Sequence, residues 1–147
     1  MKCLFQVVKE VIRLFSPVPF LFRTASEDVD LGNGYCAPKG SSVVAMCCDT
    51  HRDPNLYPDP DRFDPDRFSP ENSYGRHPYA YVPFGAGRRF CIGYKFAMME
   101  LKTMLSVVIR RIKVVKSLVT LKEMEKHLQF SMVVHSSVGY PVHVEPR

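Results

Sequence analysis

The sequence predicts an α+β fold that is mainly helical and carries small β hairpins. Two observations predict it. Apolar residues recur every three or four positions near the amino-terminal end and again after residue 94, as on one face of a helix. Elsewhere, glycine and proline divide the chain into short extended runs. With 147 residues, the chain is long enough for one domain with a core of its own.

The first predicted element is a helix over about 2–15, which begins almost at the start of the chain and has no N-cap residue. Pro17 and Pro19 end it, because proline lacks an amide donor. Strands are predicted over 20–24 and 42–46, with a glycine-punctuated hairpin between them. The apolar stripe of the helix consists of Leu4, Val7, Val8, Val11, Ile12 and Phe15.

A stretch rich in proline and aspartate, about 53–81, predicts a long coil, since proline also biases the preceding residue away from helix. Its aromatic residues favour a packed loop. The strongest helix is predicted over about 94–114. Two strands, 128–134 and 140–144, are predicted around a turn at Ser136–Gly139. The stripe of the strong helix consists of Ala97, Leu101, Met104, Leu105, Val108 and Ile112.

Composition excludes several classes of protein. Five cysteines without a CxxC pair argue against a disulfide framework and a zinc ribbon, and favour reduced thiols. No run approaches the roughly 20 apolar residues of a membrane-spanning helix. The net charge is +5, but the basic residues are scattered, so nucleic-acid binding is not predicted.

Residues 84–93, Phe-Gly-Ala-Gly-Arg-Arg-Phe-Cys-Ile-Gly, stand immediately before the strong helix. A metal-ligating thiolate needs a positive environment, and the N-terminus of a helix supplies one to Cys91. Gly87 and Gly93 tolerate positive φ and let the backbone approach the sulfur. The thiolate also needs shielding from water and oxidants, which Phe84 and Phe90 can provide, and Arg89 adds a cation that can pair with a ligand carboxylate.

These ten residues match the heme-binding signature F-x-x-G-x-R-x-C-x-G of the cytochrome P450 family. Five fixed positions in ten coincide by chance on the order of once per several million windows. The resemblance implies heme b (iron protoporphyrin IX) as cofactor and Cys91 as its thiolate ligand; the alternative is an inert thiol in a glycine turn. The implied cofactor-binding residues in this segment are Phe84, Gly87, Arg89, Cys91 and Gly93.

Two further motifs resemble the same family in the same order. Glu10 and Arg13 match an E-x-x-R pair one helical turn apart, and Arg67 lies in an aromatic-proline-arginine motif over 63–68. The resemblance implies a structural triad of Glu10, Arg13 and Arg67 that holds the coil against the helix. Alone, the E-x-x-R pair predicts only an exposed ion pair. Asp66 stands where the family more often has glutamate.

The resemblance implies a layout for the whole chain. It consists of a K helix (about 2–15), a proline-rich meander (about 53–81), a Cys-ligand loop (84–93), an L helix (about 94–114) and a terminal hairpin (about 128–145). In the family, the oxygen-activating helix and the membrane anchor precede the K helix. We therefore expect the carboxy-terminal part of the fold, with membrane association through the preceding part and no catalytic activity on its own.

The run 75–84 most resembles the microsomal fourth family, whose members hydroxylate fatty acids and related lipids, although Phe90 departs from the asparagine common there. This implies a lipophilic, fatty-acid-like or xenobiotic substrate. Arg23 lies where the family often contacts a heme propionate; the alternative is a surface arginine. The implied substrate contacts are Val18, Pro19, Phe20, Ser137 and Val138, for which plain packing and a polar turn are the alternative.

The implied partners are NADPH-cytochrome P450 reductase and, as a further candidate, cytochrome b5, on the cytoplasmic face of the endoplasmic reticulum membrane. A docking patch and a solvated helix face are both compatible with four basic residues: Lys95, Lys102, Arg110 and Arg111. Two functional alternatives to a monooxygenase remain. One is a heme-thiolate sensor or scavenger, and the other is a gene product that never folds.

Overall fold

A computed structural model describes residues 2–131 and 133–147. Its first helix, α1, spans Lys2–Leu14 and closely follows the predicted range. Val8 and Ile12 on its apolar stripe are buried and form the core with Met98. Partly buried aromatic and aliphatic side chains complete this cluster: Phe5, Phe84, Tyr94 and Leu105. One small core therefore joins α1 to the segment around residues 84–98.

Four short strands follow α1. β1 (Phe20–Thr24) has the predicted bounds. β2 (Val29–Gly32) and β3 (Tyr35–Ala37) form a separate hairpin. β4 (Ser42–Met46) then pairs antiparallel with β1, so that Phe20 lies opposite Met46. The β2–β3 connection passes through Asn33 at φ 52°, a left-handed conformation that asparagine tolerates better than most residues. This excursion returns the chain to the same two-stranded sheet.

The predicted coil is ordered by short helical turns. A helix that was not predicted, α2 (Cys47–His51), precedes it. The coil itself contains α3 (Pro70–Ser73) and two 3₁₀ turns, Pro65–Phe68 and Pro78–Ala80. Each begins with proline, whose fixed φ suits the first position of a helix. The aromatic side chains pack unevenly: Tyr57 is fully buried, whereas Tyr74 is almost fully exposed.

The strong helix, α4, spans Tyr94–Arg111 and ends three residues before the predicted boundary. The β-branched run that follows forms β5 (Ile112–Ser117), because such side chains favour extended backbone. The predicted stripe is not the buried face of α4. Met98 is the buried residue of the helix, whereas Leu101, Met104 and Val108 are exposed.

The carboxy-terminal region differs from the predicted terminal hairpin of about 128–145. β6 (Leu128–Phe130) pairs with β7 (Val134–Ser136), and β8 (Val142–Pro146) pairs with the distant β5. Ser136–Gly139 is therefore no hairpin tip. The prediction placed 128–134 opposite 140–144 because alternation identifies strands without identifying partners. Met132, within the predicted strand, lies outside the described residues.

A short helix, α5 (Leu121–Lys126), also escaped prediction although its start signal is in the sequence. The Thr120 hydroxyl accepts a hydrogen bond from the Glu123 backbone N–H at 3.2 Å, and the Thr120 backbone N–H donates to Glu123 Oε2 at 2.8 Å. This reciprocal arrangement is a capping box.

Among the described residues, no helix is both long enough and apolar enough to cross a membrane.

Replacing Thr120 by alanine removes this cap, and we expect a loss of about 1 kcal/mol in the free energy of unfolding. The measurement is urea unfolding followed by far-ultraviolet circular dichroism. The matched control is Thr103→Ala, an exposed position inside α4 where alanine is the better helix former. Equal unfolding midpoints for the two variants would show that the capping box contributes nothing.

Candidate functional site

A cavity of about 620 Å³ lies between α1, β1, the segment before Cys91, and α4. Its wall is mainly apolar and carries two guanidinium groups and one thiol. It is lined by Val11, Ile12, Phe15, Pro17, Val18, Leu21, Arg23, Pro83, Phe84, Gly85, Arg89, Cys91, Ala97 and Leu101. Of the predicted cofactor-binding residues, the structure thus brings together Arg23, Phe84, Arg89 and Cys91. The apolar wall comes from α1, α4, β1 and the segments between them, and sequence reasoning missed the cavity-facing roles of Val11, Ile12, Ala97 and Leu101.

Cys91 is exposed at this cavity and precedes α4 by three residues. Its backbone N–H donates to the Phe84 carbonyl at 2.9 Å, which closes the loop upon itself. Its carbonyl accepts from the Tyr94 N–H at 3.3 Å, which connects the loop to the helix. These two hydrogen bonds fix the backbone of Cys91 on both sides.

The glycines of the loop have different conformations. Gly87 has φ +65°, the left-handed conformation that favours glycine. Gly93 has φ −80° at the start of α4. A Cβ at Gly93 would stand 3.7 Å from the Cys91 sulfur. The second left-handed position is Gly85, at φ +76°, which the motif did not single out.

The two arginines of the cavity are exposed. Arg23 extends from β1 and donates to the neighbouring Phe22 carbonyl at 2.7 Å. Arg89 belongs to a 3₁₀ turn, Gly87–Arg89. Within residues 2–131 and 133–147, no carboxylate forms a salt bridge with either guanidinium. Both cations are therefore available to an anionic ligand in the cavity.

The two phenylalanines of the loop contact the same tyrosine. Phe84 and Phe90 pack edge-on against Tyr94, with ring centroids 5.0 and 5.3 Å away. Phe84 is half-buried and also packs on the core, so it anchors the loop to α4. Phe90 is 47% exposed, which gives the sulfur less shielding in this structure than the sequence suggested.

The predicted substrate contacts lie in different places. Val18 lines the cavity with Cys91, whereas Pro19 and Phe20 do not. The Pro19 carbonyl accepts from the Cys48 N–H at 3.0 Å, and the Phe20 ring lies 4.8 Å from that of Phe130. The other two residues lie on the carboxy-terminal segment: Ser137, which donates to the His127 carbonyl, and Val138, which is exposed. Their role stays a prediction.

Glu10 and Arg13 form a fully buried ion pair on α1. Arg13 Nε donates to Glu10 Oε2 at 2.8 Å, and Arg13 Nη2 donates to Glu10 Oε1 at 3.0 Å. Arg13 also donates to the carbonyls of His51 and Pro60, each at 2.7 Å, and Glu10 Oε1 accepts the Asp64 N–H at 2.8 Å. Backbone groups of the last residue of α2 and of the coil thus supply the hydrogen-bond partners that a buried ion pair requires.

Arg67 joins this pair from the coil. Its Nε lies 3.6 Å from Glu10 Oε1, beyond the usual length of a hydrogen bond, and its Nη2 donates to the Asp59 carbonyl at 2.7 Å. The three charged residues predicted as a triad are therefore together. The Tyr57 ring lies beside them between two guanidinium carbons, 5.0 Å from that of Arg13 and 4.9 Å from that of Arg76.

His51 is a buried residue that the sequence did not single out, because nothing local distinguishes it. The Val82 backbone N–H donates to its Nε2 at 3.0 Å, and its ring lies 5.4 Å from that of Tyr81. Burial, assisted by the Arg13 charge, lowers the pKa of His51 to about 4. The imidazole is therefore neutral near pH 7, as an acceptor at Nε2 requires.

The four basic residues considered for docking all lie on α4 and differ in exposure. Lys102 is half-buried with its Nζ 4.2 Å from the centre of the Phe5 ring, and Lys9 lies 4.5 Å from the same ring. Burial, and then the charges of Arg76 and Lys102, lower the pKa of Lys9. Lys95, Arg110 and Arg111 are exposed on α4.

Among the described residues, no cluster of three His, Cys, Asp or Glu side chains could hold a metal ion.

Comparison with known proteins decides the family. The family model described as cytochrome P450 matches residues 1–141. This chain belongs to the cytochrome P450 family. Solved cytochrome P450 heme domains share its fold. The retinoic acid-bound cyanobacterial CYP120A1 has a TM-score of 0.87 and 36% identity, covering 100% of this chain and 33% of that one. The cytochrome P450DA heme domain has a TM-score of 0.86 and 31% identity, covering 98% and 30%.

Similar curated relatives are named as members of cytochrome P450 family 4. Cytochrome P450 4V2 of Mus musculus is 52% identical over 105 residues, which are 71% of this chain and 20% of that protein. Cytochrome P450 4g1 of Drosophila melanogaster is 40% identical over 148 residues, which are 100% of this chain and 26% of that protein. The chain thus spans about a fifth to a quarter of these relatives.

The buried ion pair predicts a large effect of removing its negative charge. Glu10→Gln keeps the shape but leaves Arg13 buried without a counter-charge, so we expect a loss of about 3–5 kcal/mol in the free energy of unfolding. Chemical unfolding measures it. The matched acid-to-amide control is Asp61→Asn, which breaks an exposed pair with Arg52 and should cost less than about 1 kcal/mol. Similar losses for both variants would contradict the structural role.

His51 predicts an acid-sensitive contribution to stability. Its pKa is about 4 in the folded chain against 6.5 for an unperturbed histidine. As the pH falls through this interval, His51 binds a proton in the unfolded chain but stays neutral in the folded chain. The free energy of unfolding therefore decreases. His51→Gln has no titrating ring at this position. Between about pH 7 and about pH 4, its free energy of unfolding should therefore decrease by about 3 kcal/mol less than that of the parent chain. Urea unfolding at both pH values measures this, with His77→Gln at an exposed histidine as the control. The same reduction in both variants would contradict the specific role of His51.

Proposed function

We propose that this chain supplies the heme-binding, thiolate-bearing part of a cytochrome P450 monooxygenase. The observation that carries the proposal is the placement of Cys91, Arg23 and Arg89 on one apolar cavity. The donor set fits heme in its chemistry. An apolar wall suits the macrocycle, and one exposed thiol suits its iron. The two cations, which have no carboxylate partner in the part of the chain that the structure describes, suit its propionates.

In this proposal each residue has a definite task. Cys91 ligates the iron as a thiolate, held by its backbone contacts with Phe84 and α4. Arg23 and Arg89 pair with the propionates. When bound, heme with a thiolate ligand supplies the chemistry that activates dioxygen and inserts one oxygen atom into a C–H bond. The triad of Glu10, Arg13 and Arg67 acts structurally, by holding the coil that leads into the loop.

The family layout gives the elements their proposed identities. We assign α1 as the K helix, the coil over about 53–81 as the meander, residues 84–93 as the Cys-ligand loop, and α4 as the L helix. The assignment is supported by the order of these elements and by the contacts of the buried triad. The proposed terminal hairpin is narrowed to β6 and β7, because β8 pairs elsewhere.

The proposed substrate is lipophilic and fatty-acid-like, as expected for a relative of family 4 enzymes. Val18, which lines the cavity, is the substrate contact that the geometry favours most. We further propose that a reductase delivers the electrons at the endoplasmic reticulum membrane, with the exposed Lys95, Arg110 and Arg111 steering an acidic partner.

The test is the carbon monoxide difference spectrum of the reduced, hemin-reconstituted chain. The parent should show the long-wavelength Soret band of a thiolate-ligated complex, and Cys91→Ser should lack it. Cys36→Ser is the matched control, because Cys36 is an exposed cysteine on β3 away from the cavity. A thiolate band that survives in Cys91→Ser would assign the ligand to another residue and overturn the proposal.

Turnover is measured separately from binding, because the chain alone is expected to be inactive. The assay adds reductase, NADPH and lauric acid to the reconstituted chain. A thiolate band without hydroxylation agrees with this expectation and leaves the sensor alternative to be tested. Sustained hydroxylation would show that the chain suffices for catalysis.

A further inference from the structure

His51 connects the buried ion pair to the loop that carries Cys91. Its backbone carbonyl accepts a hydrogen bond from Arg13 Nη1 at 2.7 Å, on the α1 side. Its ring Nε2 accepts from the Val82 backbone N–H at 3.0 Å, on the loop side. One residue therefore contacts both parts of the molecule with different atoms.

The contact at Val82 continues to the cysteine through short backbone hydrogen bonds. The Val82 carbonyl accepts from the Gly85 N–H at 3.0 Å, which forms the turn at the root of the loop. Within the same loop, the Phe84 carbonyl accepts from the Cys91 N–H at 2.9 Å. A displacement of Val82 would therefore move the backbone partner of Cys91.

The imidazole holds this position at a cost. Because Nε2 is the acceptor, the neutral ring carries its proton on Nδ1. That atom is buried and has no hydrogen-bond partner among the described residues, which is unfavourable for a polar donor. A buried group left unsatisfied calls for an explanation in terms of role. The contact from Nε2 to the root of the loop provides one.

We propose that His51 is a positioning residue for Cys91. By fixing the Val82 amide it holds the root of the loop against α1 and thereby sets the direction of the sulfur. The inference rests on the proposed function, since a ligating sulfur is what requires a fixed direction. The mechanical coupling, however, is a property of the polypeptide and is measurable without heme.

The first readout is amide hydrogen exchange at Val82 and Cys91 in the heme-free chain. His51→Phe keeps a planar ring but removes the acceptor, and it should accelerate exchange at both amides by about tenfold, the factor for one net hydrogen bond. His51→Gln places an oxygen near the former Nε2 and should restore protection. His77→Phe is the control, because the exposed His77 also accepts a backbone N–H, that of Tyr79, while no hydrogen bond joins its side chain to the loop within the described residues.

A second pair of variants keeps the test decisive if His51→Phe fails to fold. His51→Asn and His51→Gln carry the same amide, but the shorter side chain does not reach the Val82 N–H. Faster exchange at both amides in the asparagine variant than in the glutamine variant supports the coupling. Equal exchange in the two, or a change that stops at Val82 without reaching Cys91, would overturn the inference.

The second readout is the carbon monoxide spectrum of the same variants after reconstitution. With a thiolate band in the parent and in His77→Phe, we expect a several-fold smaller share of that band in His51→Phe and a recovery in His51→Gln. An unchanged share in His51→Phe would overturn the positioning role. If the parent itself shows no thiolate band, the proposed function fails, and the exchange measurements still decide whether His51 couples to the loop.

Discussion

The buried pair of Glu10 and Arg13 is the interaction on which the rest of this structure depends. Taking both charges out of water is costly unless every remaining lone pair and proton finds a partner. Here the partners are backbone groups of the last residue of α2 and of the coil that follows it: the His51 and Pro60 carbonyls accept from the guanidinium, and the Asp64 amide donates to the carboxylate. A coil with little regular secondary structure is thus held in one conformation, because any departure would leave a charge buried alone.

The site follows from this constraint. The coil leads through Val82 and Pro83 to the Cys-ligand loop, which begins at Phe84. Phe84 packs on the core that α1 and α4 share, and it thereby anchors the loop. The cavity then receives its apolar wall from α1, α4, β1 and the irregular segments between them, and its cations from β1 and the loop. Helices and a strand thus supply part of the wall, while irregular backbone places Cys91 and Arg89. This division explains why a loop with two left-handed glycines, Gly85 and Gly87, can still be well defined.

Elements with a local signal were predictable, and contacts between distant segments were not. The range of α1 and the bounds of β1 and β4 are visible in the sequence and agree with the structure to within a residue. The partner of β8 is invisible to alternation, since pairing with β5 depends on the whole chain. The proximity of Arg67 to Glu10 was implied by family resemblance, and periodicity alone would not give it. No pattern in the neighbouring sequence distinguishes His51. The capping box of Thr120 and Glu123, in contrast, is visible in the sequence and was overlooked.

The spacing of the partners around Arg13 has a consequence for biosynthesis. Glu10 and Arg13 leave the ribosome before their partners, because the His51 carbonyl and the Asp64 amide that satisfy them follow 38 and 54 residues later. Until then the backbone partners of the ion pair are missing, and burying α1 would leave its two charges without those hydrogen bonds. Vectorial synthesis therefore delays this part of the fold until the coil has emerged, and a stalled or nicked chain ending before residue 64 would present an undocked amphipathic helix to chaperones and proteases.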